Sequence, residues 1–231
     1  MELMTGAGAA LAEASWPERG RPRFLLVLTH GAGGGPGTAD VLAVAAAGRR
    51  LGAVSVLVTQ PYRVAGRRAP GPADKQDAAW IEAIAALRAE IGGHAVPGRK
   101  RAGAGEHAVP GRRRAGAGLP LIQGGRSNGA RVACRTARAV GASAVIALAF
   151  PLHPPGRPDR SRVAELRGAG VDVLVVNGER DPFGVPDPQD AASVVVLPGE
   201  THALRRHPEE AARVAESWLQ GRLAARVRAG R

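Results

Sequence analysis

The chain has 231 residues, of which 45% are hydrophobic and only 3% aromatic, so wholesale disorder is excluded and any core is packed from Ala, Val, Leu and Ile. A single cysteine, Cys134, excludes an internal disulfide and any multi-cysteine zinc or iron–sulfur site. The net charge of +12 is local, with five charges in residues 94–119 and four in 222–231, and Lys75 and Lys100 are the only lysines; this reads as arginine bias and predicts no specific nucleic-acid partner.

Residues 1–20 carry no legible element and are expected to be poorly ordered. Met1–Ser15 lacks a basic start, and no apolar run approaches the roughly 18–20 residues of a bilayer span, so neither a secretory signal nor a membrane partner is expected and the protein reads as cytoplasmic. Phe24–Thr29 and Val54–Val58 read as buried strands. Asp74–Ile91 reads as a helix with Trp80, Ile84, Leu87 and Ile91 on one face and Asp74 as N-cap. A 13-residue unit then occurs twice, as His94–Glu106 and His107–Leu119. Rich in Gly, Pro and Arg, it is expected as a disordered basic insertion at 93–118, at the end of the sheet away from the strand exits. Its other reading is a polybasic tether to nucleic acid or another anionic surface. Leu119–Gln123 predicts a strand and Gly129–Val140 a helix. Strands follow at Ala144–Ala149, Val171–Asn177 and Ser193–Leu197. The last helix runs from Pro208 to about Ala225, with Val214, Trp218 and Leu219 inward, ahead of a basic tail at 226–231. Strands alternating with helices predict an α/β domain over 21–225, a mostly parallel sheet with helices on both faces.

In such a sheet, function collects where strands exit at their carboxyl ends. Four exits carry unusual residues. After Leu121-Ile122-Gln123 comes Gly125-Arg126-Ser127-Asn128-Gly129, a Gly-x-Ser-x-Gly between a strand and a helix. That order lifts a serine oxygen out of the sheet, beside the positive end of a helix, and makes Ser127 the candidate nucleophile. After Val173–Asn177 comes Gly178-Glu179-Arg180-Asp181-Pro182-Phe183-Gly184. Asp181 is the candidate acid that would orient an imidazole, with Glu179 nearer the strand and Asp187 further out. After Val194–Leu197 comes Glu200-Thr201-His202, where His202 is the candidate general base. Of the other histidines, His94 and His107 are repeat copies, His207 starts the last helix, and His153 lies in a proline-rich loop that would line the site. After Phe24–Thr29 comes His30-Gly31-Ala32-Gly33-Gly34-Gly35-Pro36. Its spacing fails Gly-x-Gly-x-x-Gly, and no Gly-Lys-Ser/Thr occurs, so a nucleotide loop is excluded. The remaining role is an oxyanion loop, pairing the N–H of Ala32, or of Gly33 beside it, with that of Asn128. His30 then stabilises the turn.

Together these blocks, with Gln60-Pro-Tyr-Arg-Val-Ala-Gly-Arg67, Phe150-Pro-Leu-His-Pro-Pro-Gly-Arg157 and Thr201-His-Ala-Leu204, resemble the alpha/beta-hydrolase superfamily in its small dienelactone-hydrolase-like branch. The resemblance runs over residues 24–220, interrupted by the repeat. It implies the three-layer alpha/beta-hydrolase fold. It places Ser127, His202 and Asp181 in the nucleophile, base and acid positions, with Ala32 and Asn128 as oxyanion donors. His30, Gly33, Arg126, His153 and Phe183 would line the site. Dienelactone hydrolase uses a cysteine where this chain has Ser127, so its lactone substrate does not carry over. The stretch between Ala149 and Val171 is too short for a lid domain, so an open site is expected. The expected activity is hydrolysis of a carboxylic ester, thioester or similar acyl bond in a small acyl substrate, with no metal or organic cofactor. The alternative is a non-catalytic interaction protein that keeps the fold.

Overall fold

Phe24–Thr29 (β3) is buried throughout and apolar up to Thr29 because both of its faces are covered, and burial likewise extends over most of Ala53–Thr59 (β4), Leu121–Arg126 (β5), Ala142–Leu148 (β6) and Val173–Arg180 (β7). With Ser193–Thr201 (β8) they form the parallel part of one sheet. The computed structural model describes residues 1–93 and 118–229. Residues 94–117 of the basic repeat, and therefore its expected disorder and its placement at one end of the sheet, lie outside the described residues.

Residues 1–20, expected to be poorly ordered, instead form a hairpin of Glu2–Thr5 (β1) and Gly8–Ser15 (β2). β2 pairs antiparallel with β4 from Leu11↔Thr59 to Ser15↔Ser55, giving eight strands in the order β1-β2-β4-β3-β5-β6-β7-β8. Pairing to a buried neighbour and burial of Leu3, Ala10 and Ala12 order an alanine-rich segment whose local strand preference is weak.

Side chains alternate between two cores. Leu25, Val27, Val145, Ala147 and Val175 face Trp80, Ile84, Leu87 and Ile91 of Ala73–Gly93 (α3) and Val132 of Asn128–Thr136 (α4). Phe24, Leu26, Leu28, Ile146 and Leu174 face Val41 and Val44 of Ala39–Arg50 (α1) and Ala215 and Leu219 of Pro208–Ala229 (α6). The result is a sheet between two helical layers. Helix boundaries differ from expectation in three places. α1 has no counterpart among the expected helices, Asp74 lies inside the first turn of α3 and is not its cap, and α4 ends at Thr136 in turns through Gly141. The expected basic tail is helical through Ala229, and Arg222 stacks on Trp218 while pairing with Asp172.

Residues 149–172 hold one short helix, Val163–Arg167 (α5), and no lid domain. The remaining helix, Pro61–Val64 (α2), follows β4 directly. Among the described residues no helix is long and apolar enough to cross a membrane.

Candidate active site

The first residue after β5 is Ser127, which turns the chain directly into α4. Its backbone sits at φ 53°, ψ −116°, a region that costs an L-residue about 1–3 kcal/mol and persists only where the surroundings impose it. Here they do. The Ser127 N–H donates to the Leu148 carbonyl at 2.9 Å. A Cβ on Gly125 would lie 2.8 Å from the Thr29 carbonyl oxygen, and one on Gly129 2.6 Å from that of His30. Both glycines are thus required by the close pass of the β3 exit against the turn.

His202 immediately follows β8 and Asp181 immediately follows β7. The His202 ring lies between the other two groups, with Nε2 2.9 Å from Ser127 Oγ and Nδ1 2.8 Å from Asp181 Oδ2. The Asp181 side chain is fully buried, and its carboxylate also accepts the Phe183 N–H at 2.9 Å and Asn177 Nδ2 at 3.3 Å. Because the carboxylate accepts only, Nδ1 carries the proton and Nε2 presents its lone pair to the serine hydroxyl. The His202 side chain keeps 18% of its surface exposed, so a ligand can reach it. The Phe183 ring covers one flank, its centroid 4.3 Å from that of His202.

Asn177, which the sequence reading passed over, closes this corner. Fully buried, it accepts the Phe150 N–H at 2.8 Å and donates to the carbonyls of Phe150 and Gly184 as well as to Asp181. Its one visible signal is a lone amide ending the apolar run Val173–Val176. Glu179 and Asp187, the other candidate acids, are engaged elsewhere: Glu179 accepts the Gly199 N–H, and Asp187 caps the 3-10 turn Pro188–Asp190.

Arg126, expected to line the site, also braces it. Nη2 donates to the His202 carbonyl at 2.6 Å, and Nε stands 3.1 Å from Oδ2 of Asp40, in the first turn of α1. The Asp40 side chain is only 1% exposed, and the pair is an ion contact whose alignment falls short of a hydrogen bond.

The glycine loop is held from behind. His30 is fully buried, with Nδ1 2.7 Å from the Gly31 carbonyl and Nε2 accepting the Gln60 N–H at 3.0 Å, which fixes a neutral tautomer protonated at Nδ1. Burial is the main influence that lowers its pKa, partly opposed by the Gly31 contact. The Tyr62 hydroxyl donates toward the carbonyls of Gly31 and Ala32 at 3.3 and 3.2 Å, and burial raises its own pKa to about 12. Among the described residues, the N–H groups of Ala32 and Asn128 meet no backbone acceptor. Gly33 is exposed in the same loop. His153 lies further out: its N–H donates to the Phe183 carbonyl at 3.0 Å and its ring lies beside Gly184. Cys134 is fully buried down α4, and desolvation pushes its thiol well above the ordinary range, which makes it inert.

A family model described as "Alpha/beta hydrolase domain" matches residues 22–209. The chain belongs to the alpha/beta hydrolase family. No curated protein matches it by sequence. Solved structures carry the fold likeness further. An alpha-beta serine hydrolase homologue from Coxiella burnetii is 16% identical, with a TM-score of 0.67 over 95% of this chain and 96% of the other. A lidless serine hydrolase from Xanthomonas campestris is 19% identical, with a TM-score of 0.58 over 92% of each chain. Dienelactone hydrolase from Anabaena variabilis is 16% identical, with a TM-score of 0.65 over 96% and 95%. The alpha/beta hydrolase fold and the likeness to the dienelactone hydrolase branch are thereby borne out, and the missing lid has a counterpart in the Xanthomonas structure.

Proposed function

We propose that this alpha/beta hydrolase is a serine hydrolase that cleaves a carboxylic ester, thioester or related acyl bond through an acyl-enzyme. The observation that carries this reading is the His202 imidazole held between Ser127 Oγ at 2.9 Å and Asp181 Oδ2 at 2.8 Å. An isolated serine hydroxyl is a poor nucleophile, and a base within hydrogen-bond reach, itself oriented by a carboxylate, is what activates one.

His202 Nε2 takes the hydroxyl proton as Oγ bonds to the acyl carbon, and the carbonyl electron pair moves onto its oxygen. The Asn128 and Ala32 N–H groups, with the positive end of α4, face that developing charge. Asp181 steadies the imidazolium through Nδ1–H. Collapse of the tetrahedral species breaks the bond to the leaving alcohol or thiol, which receives the proton from Nε2. Water then gives a proton to the same nitrogen as it attacks the Ser127 ester, and collapse of the second tetrahedral species releases the acid while Nε2 returns that proton to Ser127 Oγ. The Tyr62 and His30 contacts turn the loop's carbonyls away from the oxyanion, which leaves its N–H groups for the substrate. The Phe183 ring narrows water access to the imidazole.

A fluorophosphonate probe tests this reading. Wild type is expected to be labelled and Ser127→Ala not, while His202→Ala lowers turnover of an acyl ester by at least the order of 10⁴. Equal labelling of wild type and Ser127→Ala would sink the proposal.

A further inference from the structure

A cavity of about 560 Å³ opens between the β1–β2 hairpin, the segment after β4 and the first turns of α3, a size common for small-molecule sites. Ala10, Val58, Ala79, Trp80 and Ala83 give it an apolar body. Arg67 and Lys75 also stand on it, against one carboxylate, Glu82, which already accepts the Gly6 N–H at 2.6 Å. The reaction above uses none of these side chains.

Two walls of the cavity touch the elbow. Gln76 Oε1 accepts from Nδ2 of Asn128, the residue after Ser127, at 2.7 Å. Tyr62 holds the carbonyls of Gly31 and Ala32, and Gly31 packs so closely on the elbow that a Cβ there would come 3.2 Å from Ser127 Cβ. The order of the sheet then assigns the cavity its side. β4, β2 and β1 lie on one flank of β5, whereas β7 and β8, which deliver Asp181 and His202, lie on the other. The leaving group must stand beside His202 Nε2 to receive its proton. The part of the substrate directed away from His202, to the flank on which the cavity lies, is therefore the acyl chain.

Taking the hydrolytic reading of Ser127 as given, we infer that this cavity is the acyl pocket and that it accepts an acyl group with an apolar body and a carboxylate, as in the monoester of a dicarboxylic acid. The apolar wall matches the methylenes, and Arg67 and Lys75 outnumber the one engaged carboxylate among the lining residues. Both cations are solvent-exposed, so each contributes a preference of up to about fivefold.

The test compares p-nitrophenyl esters from acetate to octanoate with the mono-p-nitrophenyl esters of glutarate and adipate. Wild type, Ala79→Trp and the double variant Arg67→Glu/Lys75→Glu are assayed, each also checked for fluorophosphonate labelling. Wild type is expected to favour the carboxylate-ended ester over the neutral ester of equal length, and the charge-reversed variant to lose that preference while keeping its label. Filling the cavity with Ala79→Trp should lower kcat/KM for the octanoyl and adipoyl esters by about tenfold and leave the acetyl ester nearly unchanged. Unchanged selectivity in the charge-reversed variant that still takes the label overturns the pocket and leaves the hydrolase standing. A wild type that takes no label overturns the hydrolytic reading and the pocket with it.

Discussion

At the scale of single residues, Arg126 occupies the position with most leverage on His202 outside the three reacting groups. It reaches the His202 backbone from the strand that ends at Ser127, so one side chain ties the base's loop to the nucleophile's turn. Its second partner, Asp40, is buried, and removing the guanidinium strands that carboxylate at a cost of about 3–5 kcal/mol. Arg126→Gln should therefore lower both stability and kcat, the latter on the order of 10- to 100-fold because the imidazole is no longer held in register. Adding Asp40→Asn separates the two effects. The pair Asp40→Asn/Arg126→Gln should recover much of the urea midpoint but not kcat, whereas recovery of both would reduce Arg126 to a structural role. Neither Asp40 nor Asn177 was legible in the sequence as part of the site. Ser127, Asp181 and His202 were, because each directly follows a strand whose apolar run announces it. The supporting groups act across tertiary contacts and have no local spacing to betray them.

At the scale of elements, the N-terminal hairpin separates local preference from tertiary context. Gly8-Ala-Ala-Leu-Ala-Glu-Ala-Ser15 is poor in branched and aromatic residues, so nothing in it favours a strand over any other extended chain. Its order comes from β4, forty residues away at the nearest pair, Ser15↔Ser55. The helix α1 is illegible for a different reason: Ala39-Asp-Val-Leu-Ala-Val-Ala-Ala-Ala is mostly alanine, so its buried face of Val41, Val44, Ala45 and Gly48 differs little in side-chain size from the exposed one. By contrast, α3 was legible because Trp80, Ile84, Leu87 and Ile91 recur on one face. Leu3 tests the hairpin directly, being 1% exposed on an edge strand against the α3 core. Leu3→Ala should destabilise by about 2–5 kcal/mol in urea unfolding. A loss under about 0.5 kcal/mol, as at an exposed surface position, would mean that the hairpin is not docked.

At the scale of the whole molecule, the sheet separates two cores, and the groups that make the site sit where strands leave it, half in each environment. His30 shows what this does to pH dependence. It is sealed at the β3 exit with Tyr62 against its ring and Arg63 nearby, and burial holds its pKa below 6.5 despite the Gly31 carbonyl. In the unfolded chain the same imidazole protonates near 6.5. Between the two values the unfolded state binds more protons, so stability rises with pH across that interval. The contribution of His30 is complete above pH 6.5 and is lost as pH falls through the lower, folded value. Protonation would also turn Nε2 from an acceptor into a donor facing the Gln60 N–H, loosening the loop that carries Ala32. The melting temperature of wild type should therefore fall as the buffer is taken from pH 7 to pH 5. His30→Asn removes the titrating ring, and whatever its stability at pH 8, its melting temperature should decline less steeply over that interval. Equal slopes in the two proteins would move the acid sensitivity to another group and leave His30 as packing alone.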